Sequence, residues 1–363
     1  MSAYVLTSVQ NHIGHITLDR PQALNSLSLD MVRAISAILR EWRDQPDVRA
    51  VLIHSSSERA FCAGGDIRFF YDVGTATPKG DSALLEDFFS EEYALNHLIH
   101  FYPKPYIAVM NGVVMGGGMG IAQAGEACRM RIVTERTKMA MPEVNIGLFP
   151  DVGGGYFLAR TPGQTGTYLG LTGEIIAAAD ALYAGLADVF IPTAELAALM
   201  AMLAATQAAD IRQAIREFAA PFTALAVPAD SKLAAQRALI DRHFSSDSVN
   251  AIAAALAADG SEFARQTLAV MQKRSPLLMC VTLEQLRRGA GMTVADCLRM
   301  ERSMVRHCFR HGEVLEGVRA LVVDKDNAPQ WSPATLADVG AEQVAAFFAP
   351  VWPAYAHPLR DLA

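Results

Sequence analysis

The sequence predicts an α/β fold with a helical C-terminal region. Three observations carry that reading. Two short apolar runs, residues 50–54 and 105–114, are each followed by a glycine-rich stretch and then a helical pattern. This strand-then-helix order repeats between residues 50 and 135, which calls for crossover connections. From about residue 194 onward, apolar residues recur almost wholly at helical spacing.

Each element has a local reason. Residues 4–18 read as two short strands joined by a turn around residues 11–14. Leu29, Val32, Ile35, Ile38, Leu39 and Trp42 fall on one helical face within residues 28–45, with Ser28 placed as an N-cap. Residues 82–101 read as a helix with Leu84, Leu85, Phe88, Phe89, Leu95, Leu98 and Ile99 inward. Further helices are expected over 231–243, 247–258, 261–273, 276–289 and 293–311, punctuated by Pro221 and Pro228. A soft boundary near residue 220 divides residues 1–220 from a helical region, 221–363.

Composition narrows the function classes. Of 363 residues, 52% are hydrophobic and 19% charged, which supports a large buried core. The net charge of −7 gives nucleic-acid binding no electrostatic support. It does not exclude an anionic ligand held by backbone N–H groups. The alanine-rich stretch 194–209 is broken by Glu195, Thr206 and Gln207, so no membrane span is expected. Five cysteines at long spacing without CxxC read as reduced thiols. With no visible secretory signal, this implies a cytoplasmic location.

The stretch from Met141 to Gly155, MPEVNIGLFPDVGGG, sets Glu143 and Asp151 among apolar residues, prolines and glycines. Carboxylates in such surroundings find partners or shift their pKa, so the pair reads as acid/base machinery. The alternative is loop stabilisation, with Asp151 capping a helix near Val152. Two glycine constellations accompany the pair: Ala60-Phe61-Cys62-Ala63-Gly64-Gly65-Asp66-Ile67, and Asn111-Gly112-Val113-Val114-Met115-Gly116-Gly117-Gly118-Met119-Gly120. Glycines after a buried strand let backbone N–H groups approach a ligand, and two such groups can hold a developing oxyanion. Tight turning alone also accounts for either loop. Neither loop fits a dinucleotide or P-loop fingerprint. His307 and His311 lack a glutamate after the first histidine and are not a zinc-protease motif. Cys62 has no adjacent histidine and reads as a packing residue.

Four ordered motifs carry a resemblance: Arg20-Pro21-Gln22-Ala23-Leu24-Asn25, FCAGGD at 61–66, NGVVMGGGMG at 111–120 and MPEVNIGLFPDVGGGYFL at 141–158. The chain resembles the crotonase (enoyl-CoA hydratase/isomerase) superfamily. Within it, FPDVGGGYFLAR, Ser90-Glu91-Glu92-Tyr93, Ser275-Pro276 and the 316–331 region are similar to the 3-hydroxyisobutyryl-CoA hydrolase branch. Residues 125–136 run a few positions longer than usual, and Glu313 stands where an aspartate is more familiar.

The resemblance implies a crotonase-type ββα spiral core and an acyl-CoA thioester substrate. Gly65 and Gly117 would donate the oxyanion-hole N–H groups. Glu143 would be a catalytic glutamate and Asp151 the second acidic residue. Glu92 would contact substrate, although a solvated helix-face residue is the competing reading. The Arg20–Asn25 loop, with Ala23 and Leu24, and the Ala63–Ile67 loop, with Ala63, Gly64, Asp66 and Ile67, would frame the coenzyme A portion, and Gly116 and Gly120 would also bind substrate. Gly120 occupies the place of the hydratases' second glutamate, which disfavours hydration. The expected function is therefore an acyl-CoA thioester hydrolase, acting on 3-hydroxyisobutyryl-CoA in valine catabolism. An enoyl-CoA hydratase/isomerase and a non-catalytic acyl-CoA-binding subunit are the alternatives. No metal and no cofactor are expected, coenzyme A being part of the substrate. A homo-oligomer, trimer or smaller, is the expected assembly, with no nucleic-acid or membrane partner.

Overall fold

The computed structural model describes residues 2–77, 82–226 and 230–363. Pro228 lies outside the described residues. The chain forms two compact units, each assembled from three stretches. The first comprises Met1–Gly65, Ala94–Ala140 and Ile175–Ala235; the second comprises Asp66–Tyr93, Met141–Glu174 and Gln236–Ala363. The sequence boundary near residue 220 falls within the third stretch of the first unit.

The first unit holds the strands: β1 (Val5–Gln10), β2 (Ile13–Leu18), β3 (Ala50–Ser55), β4 (Ala60–Cys62), β5 (Tyr106–Met110), β6 (Val113–Met115), β7 (Arg129–Val133), β8 (Lys138–Ala140) and β9 (Val189–Phe190). One sheet has the order β1-β2-β3-β5-β7-β9, and a smaller one has the order β4-β6-β8. Among the strand pairs of the described residues, β1/β2 is antiparallel and the others are parallel. The pairs β3/β4, β5/β6 and β7/β8 each give one strand to each sheet. That alternation is the ββα spiral the resemblance implies.

The hairpin between β1 and β2 closes in two residues, with Gln10 opposite Ile13. Asn11 and His12 have φ of 46° and 64°, as a two-residue turn matched to strand twist requires. Ser28 caps the helix Leu29–Asp44 as expected, accepting from Met31 N at 3.3 Å. Met31, Val32, Ile35, Leu39 and Trp42 form its buried face. Ile13, Leu52, Ile107 and Ile132 of the large sheet pack with Leu199, Leu203, Ile211 and Ile215 of two later helices.

The run 105–114, expected as one strand, is divided between the two sheets. The break falls at Gly112, whose φ is +81° and whose added Cβ would lie 2.5 Å from Arg59 O. No side chain fits that bend, so the chain leaves one sheet and enters the other there.

The second unit is helical. Its helices Val249–Asp259, Glu262–Met271, Pro276–Gly289 and Val294–His311 follow the expected ranges within a few residues. Hydroxyl caps start all four: Ser248, Ser261, Ser275 and Thr293 accept from the backbone N–H of the third residue on. Phe70, Phe88, Phe89 and Phe309 interlock in its core, with ring centroids 4.8 Å apart for Phe70–Phe88 and 5.7 Å for Phe89–Phe309. Among the described residues, no helix is long and apolar enough to cross a membrane.

One close approach in the first unit deserves a test. A Cβ on Gly118 would lie 2.2 Å from Cys62 O, so only glycine lets the two glycine loops meet. Gly118→Ala is expected to destabilise by about 3 kcal/mol or more, read as a lower denaturation midpoint. An unchanged midpoint would show that the loops can separate without loss.

Candidate active site

In the first unit the three glycine-bearing and anchoring loops come together. Asn25 ties the first two: its Nδ2 donates to Phe61 O at 3.1 Å and to Ala60 O at 3.3 Å, and its Oδ1 accepts from Arg20 N at 2.7 Å. Ala63 N donates to Leu24 O at 3.0 Å, and Leu27 N to Gly64 O at 2.7 Å. Gly65 forms a parallel bridge with Leu27. A Cβ on Gly64 would lie 3.1 Å from Met115 O and 3.5 Å from Gly117 N. Gly64 therefore lies beside Met115 and Gly117, and Leu24 beside Ala63. Gly117 opens the short helix Gly117–Gly120, where the first N–H groups have no partner inside the helix. Gly120 is buried within that helix and carries no acid.

In the second unit Glu92, Glu143 and Asp151 are buried, at 2%, 6% and 5% exposure. Glu92 comes from the helix Ala83–His100. Glu143 opens a 3-10 turn, Glu143–Ile146, that ends in left-handed Gly147. Asp151 follows eight residues later and accepts from the Tyr93 hydroxyl at 2.7 Å. Glu92 Oε1 and Glu143 Oε2 are buried without a hydrogen-bond partner. Unsatisfied carboxyl oxygens are costly in a packed interior.

Burial and mutual repulsion shape the protonation. Desolvation first, then the Asp151 charge, hold Glu92 and Glu143 well above the usual carboxyl range. Desolvation lifts Asp151 to about 6, opposed by the hydroxyl of Tyr93. Asp151 thus ionises ahead of its neighbours, and its charge delays theirs.

Asp66 and Ile67 stand apart from this group in role. The Asp66 side chain caps the helix Ile67–Ala76, accepting from Phe69 N at 3.2 Å, and Ile67 is half-buried. His307 Nε2 lies 3.0 Å from Ala349 O, a structural contact. None of the five cysteines is in a disulfide. Among the described residues, no group of three or more His, Cys, Asp or Glu side chains is arranged to hold a metal ion.

Sequence reasoning missed four residues that surround the carboxyls. Tyr93 received no separate role. Glu301 Oε2 accepts from Gly153 N at 2.8 Å, and its Oε1 from Gly155 N at 2.9 Å. Gln285 Nε2 donates to Pro150 O at 2.7 Å. Arg302, 1% exposed, donates to Ser90 Oγ at 2.9 Å and pairs with Glu86. The signal was present: Glu301 and Arg302 share the inward face of their helix with Leu298, Val305 and Cys308.

The family model for enoyl-CoA hydratase/isomerase matches residues 13–348. The chain belongs to the enoyl-CoA hydratase/isomerase family. It is 39% identical over 353 residues to the mitochondrial 3-hydroxyisobutyryl-CoA hydrolase of Gallus gallus, covering 96% of this chain and 90% of that relative. It is 38% identical over 342 residues to the Homo sapiens protein of the same name, covering 94% and 87%. A solved carnitinyl-CoA dehydratase from Mycobacterium thermoresistibile superposes with a TM-score of 0.86 at 39% identity, covering 97% of this chain and 98% of that one. An enoyl-CoA hydratase from Rhodobacter sphaeroides gives 0.84 at 36% identity, covering 96% and 98%. The expectation of a cytoplasmic location is corrected by these relatives: the curated hydrolases are named as mitochondrial.

Within this family member, the buried carboxyls should reverse the usual acid-side behaviour. A folded pKa above the unfolded one means the folded state holds the extra proton. That contribution is full below the unfolded value of 3.8 for Asp151 and is lost as pH rises through about 6. Asp151→Asn should therefore lose less stability than the parent between about pH 4 and pH 7, by roughly 1–3 kcal/mol. Parallel denaturant curves at several pH values measure this. A difference that does not change with pH would remove the shift from Asp151.

Proposed function

We propose that this protein is an acyl-CoA thioester hydrolase acting on 3-hydroxyisobutyryl-CoA, a step of valine catabolism. The observation that carries the reading is the retention of buried Glu143 and Asp151 together with a buried glycine at position 120. Adding water across a double bond uses two acids, one of them at the place Gly120 occupies. Thioester hydrolysis needs one base or nucleophile and a stabilised oxyanion. The curated relatives named as hydrolases of this thioester support the choice.

The chemistry follows from the side chains. The N–H groups of Gly65 and Gly117 would take up the charge that develops on the thioester oxygen, and one such donor is worth roughly 2.7–4 kcal/mol. Ionised Glu143 would take a proton from water, or attack the carbonyl directly to give an anhydride that water then opens. Either way the carbon–sulfur bond breaks and coenzyme A leaves as the thiol or thiolate. Asp151, the first of the carboxyls to ionise, would accept a hydrogen bond from the substrate's 3-hydroxyl. A β-hydroxyl on the substrate accounts for keeping a second acid there.

Two readings at one bench test this. Incubation with 3-hydroxyisobutyryl-CoA should release free thiol, and crotonyl-CoA should not be hydrated at a comparable rate. Glu143→Gln should lower kcat by a factor of about 10² or more while coenzyme A binding persists. Hydration without thiol release would replace the hydrolase reading with the hydratase one. Binding with no turnover of either thioester would leave an acyl-CoA-binding subunit.

A further inference from the structure

The turn that carries Asp151 is held in an unfavourable shape. Val152 has φ of +51° and Gly153 φ of +89°. A β-branched residue in the left-handed region is strained and persists only where its surroundings over-determine it. Those surroundings lie on two helices of the same unit. Glu301 of the helix Val294–His311 accepts from Gly153 N and Gly155 N, one to each carboxyl oxygen. Gln285 of the helix Pro276–Gly289 donates from one Nε2 to Pro150 O at 2.7 Å and to Glu301 Oε1 at 3.1 Å. Bonds thus grip the backbone on both sides of Asp151, at residues 150, 153 and 155. A Cβ on Gly155 would lie 3.0 Å from Glu301 Oε1 and 3.2 Å from Gln285 Nε2, so the fit leaves no slack.

We propose that Glu301, supported by Gln285, is the positioning residue for Asp151: it fixes the 150–155 turn so that the Asp151 carboxyl meets the substrate, and it touches no reacting atom itself. The proposal rests on the reading of Asp151 as part of the hydrolase site. Only a carboxyl side chain suits position 301. It offers two acceptors to two N–H donors, whereas an amide offers one acceptor and turns its own N–H₂ toward the second donor. Glutamate is also the right length, since its two oxygens reach N–H groups two residues apart. The adjacent Arg302 braces the helix bearing Glu92 and Tyr93 through Ser90 and Glu86. Consecutive residues of one C-terminal helix therefore hold two separate carboxyl-bearing segments of the same unit.

The test compares kcat and KM for thiol release in the full chain. Glu301→Gln should fold, keep KM within about twofold and lose roughly 10- to 100-fold in kcat, the scale that ångström misplacement of a catalytic group produces. Glu301→Asp, which keeps the carboxyl group but shortens the reach, should fall between it and the parent. Leu256→Ala, which unpacks a helix elsewhere in the unit, serves as a control of matched thermal stability and should keep its kcat. Should Glu301→Gln not fold, Glu301→Asp and Gln285→Leu decide by the same split, each with a several-fold loss in kcat alone. Parent-like kcat in the folded Glu301 variants overturns the proposal, as does an equal kcat loss in Leu256→Ala. Asp151→Asn separates the two levels. If it turns over normally, the reading of Asp151 fails. If it is inactive while Glu301→Gln is not, only the positioning role fails.

Discussion

Crowding of carboxyls away from water is the constraint on which the second unit is organised. Glu92, Glu143 and Asp151 share a buried region, and burial penalises the charged form of each. Once one ionises, Coulomb repulsion makes the next ionisation harder. Asp151 goes first because a tyrosine hydroxyl stabilises its anion. Two oxygens of the group, on Glu92 and Glu143, are left without partners in the free protein. Such an arrangement weakens the fold and is retained where it prepares chemistry. In the proposed reaction, a glutamate whose pKa is raised becomes a stronger base once it gives up its proton.

The structure around the cluster offsets this cost with backbone contacts. The 150–155 turn is strained at Val152, and buried side chains from two distant helices hold it. Burial drives Glu301 to about 8, against the pull of its two N–H donors. Glu313 plays a similar part nearby: it accepts from Ser332 N at 2.7 Å and bonds the Ser275 hydroxyl. Its backbone lies against Gly147, where an added Cβ would be 2.3 Å from Glu313 O. Glu313, where an aspartate is more familiar, thus anchors two loops.

Legibility in the sequence followed the range of the interaction. The start of the first helix was readable because its cap sits three residues from the N–H group it satisfies, at Ser28. The β1–β2 hairpin and the repeated strand–helix order were readable for the same local reason. The division of residues 105–114 between two sheets was not. It depends on Arg59 O pressing against Gly112, a contact across more than fifty residues of chain. Glu143 and Asp151 stood out because apolar neighbours surround them in one continuous motif. Glu301 serves backbone groups 146 and 148 residues away, so no local spacing could name its partners. Location was misread because missing local signals say little about compartment, and the curated relatives are named as mitochondrial.

Infrared spectroscopy of the carboxyl groups, followed upward in pH past the range where exposed carboxyls ionise, reads the buried protonation itself. A protonated carboxylic acid has a carbonyl stretch separate from the carboxylate bands. The folded protein should keep that acid band above the ordinary carboxyl range. Glu143→Gln should diminish it, and unfolding should abolish it. A folded protein showing carboxylate bands alone, with no change in Glu143→Gln, would mean that the buried carboxyls ionise as ordinary surface groups, and the account would fail.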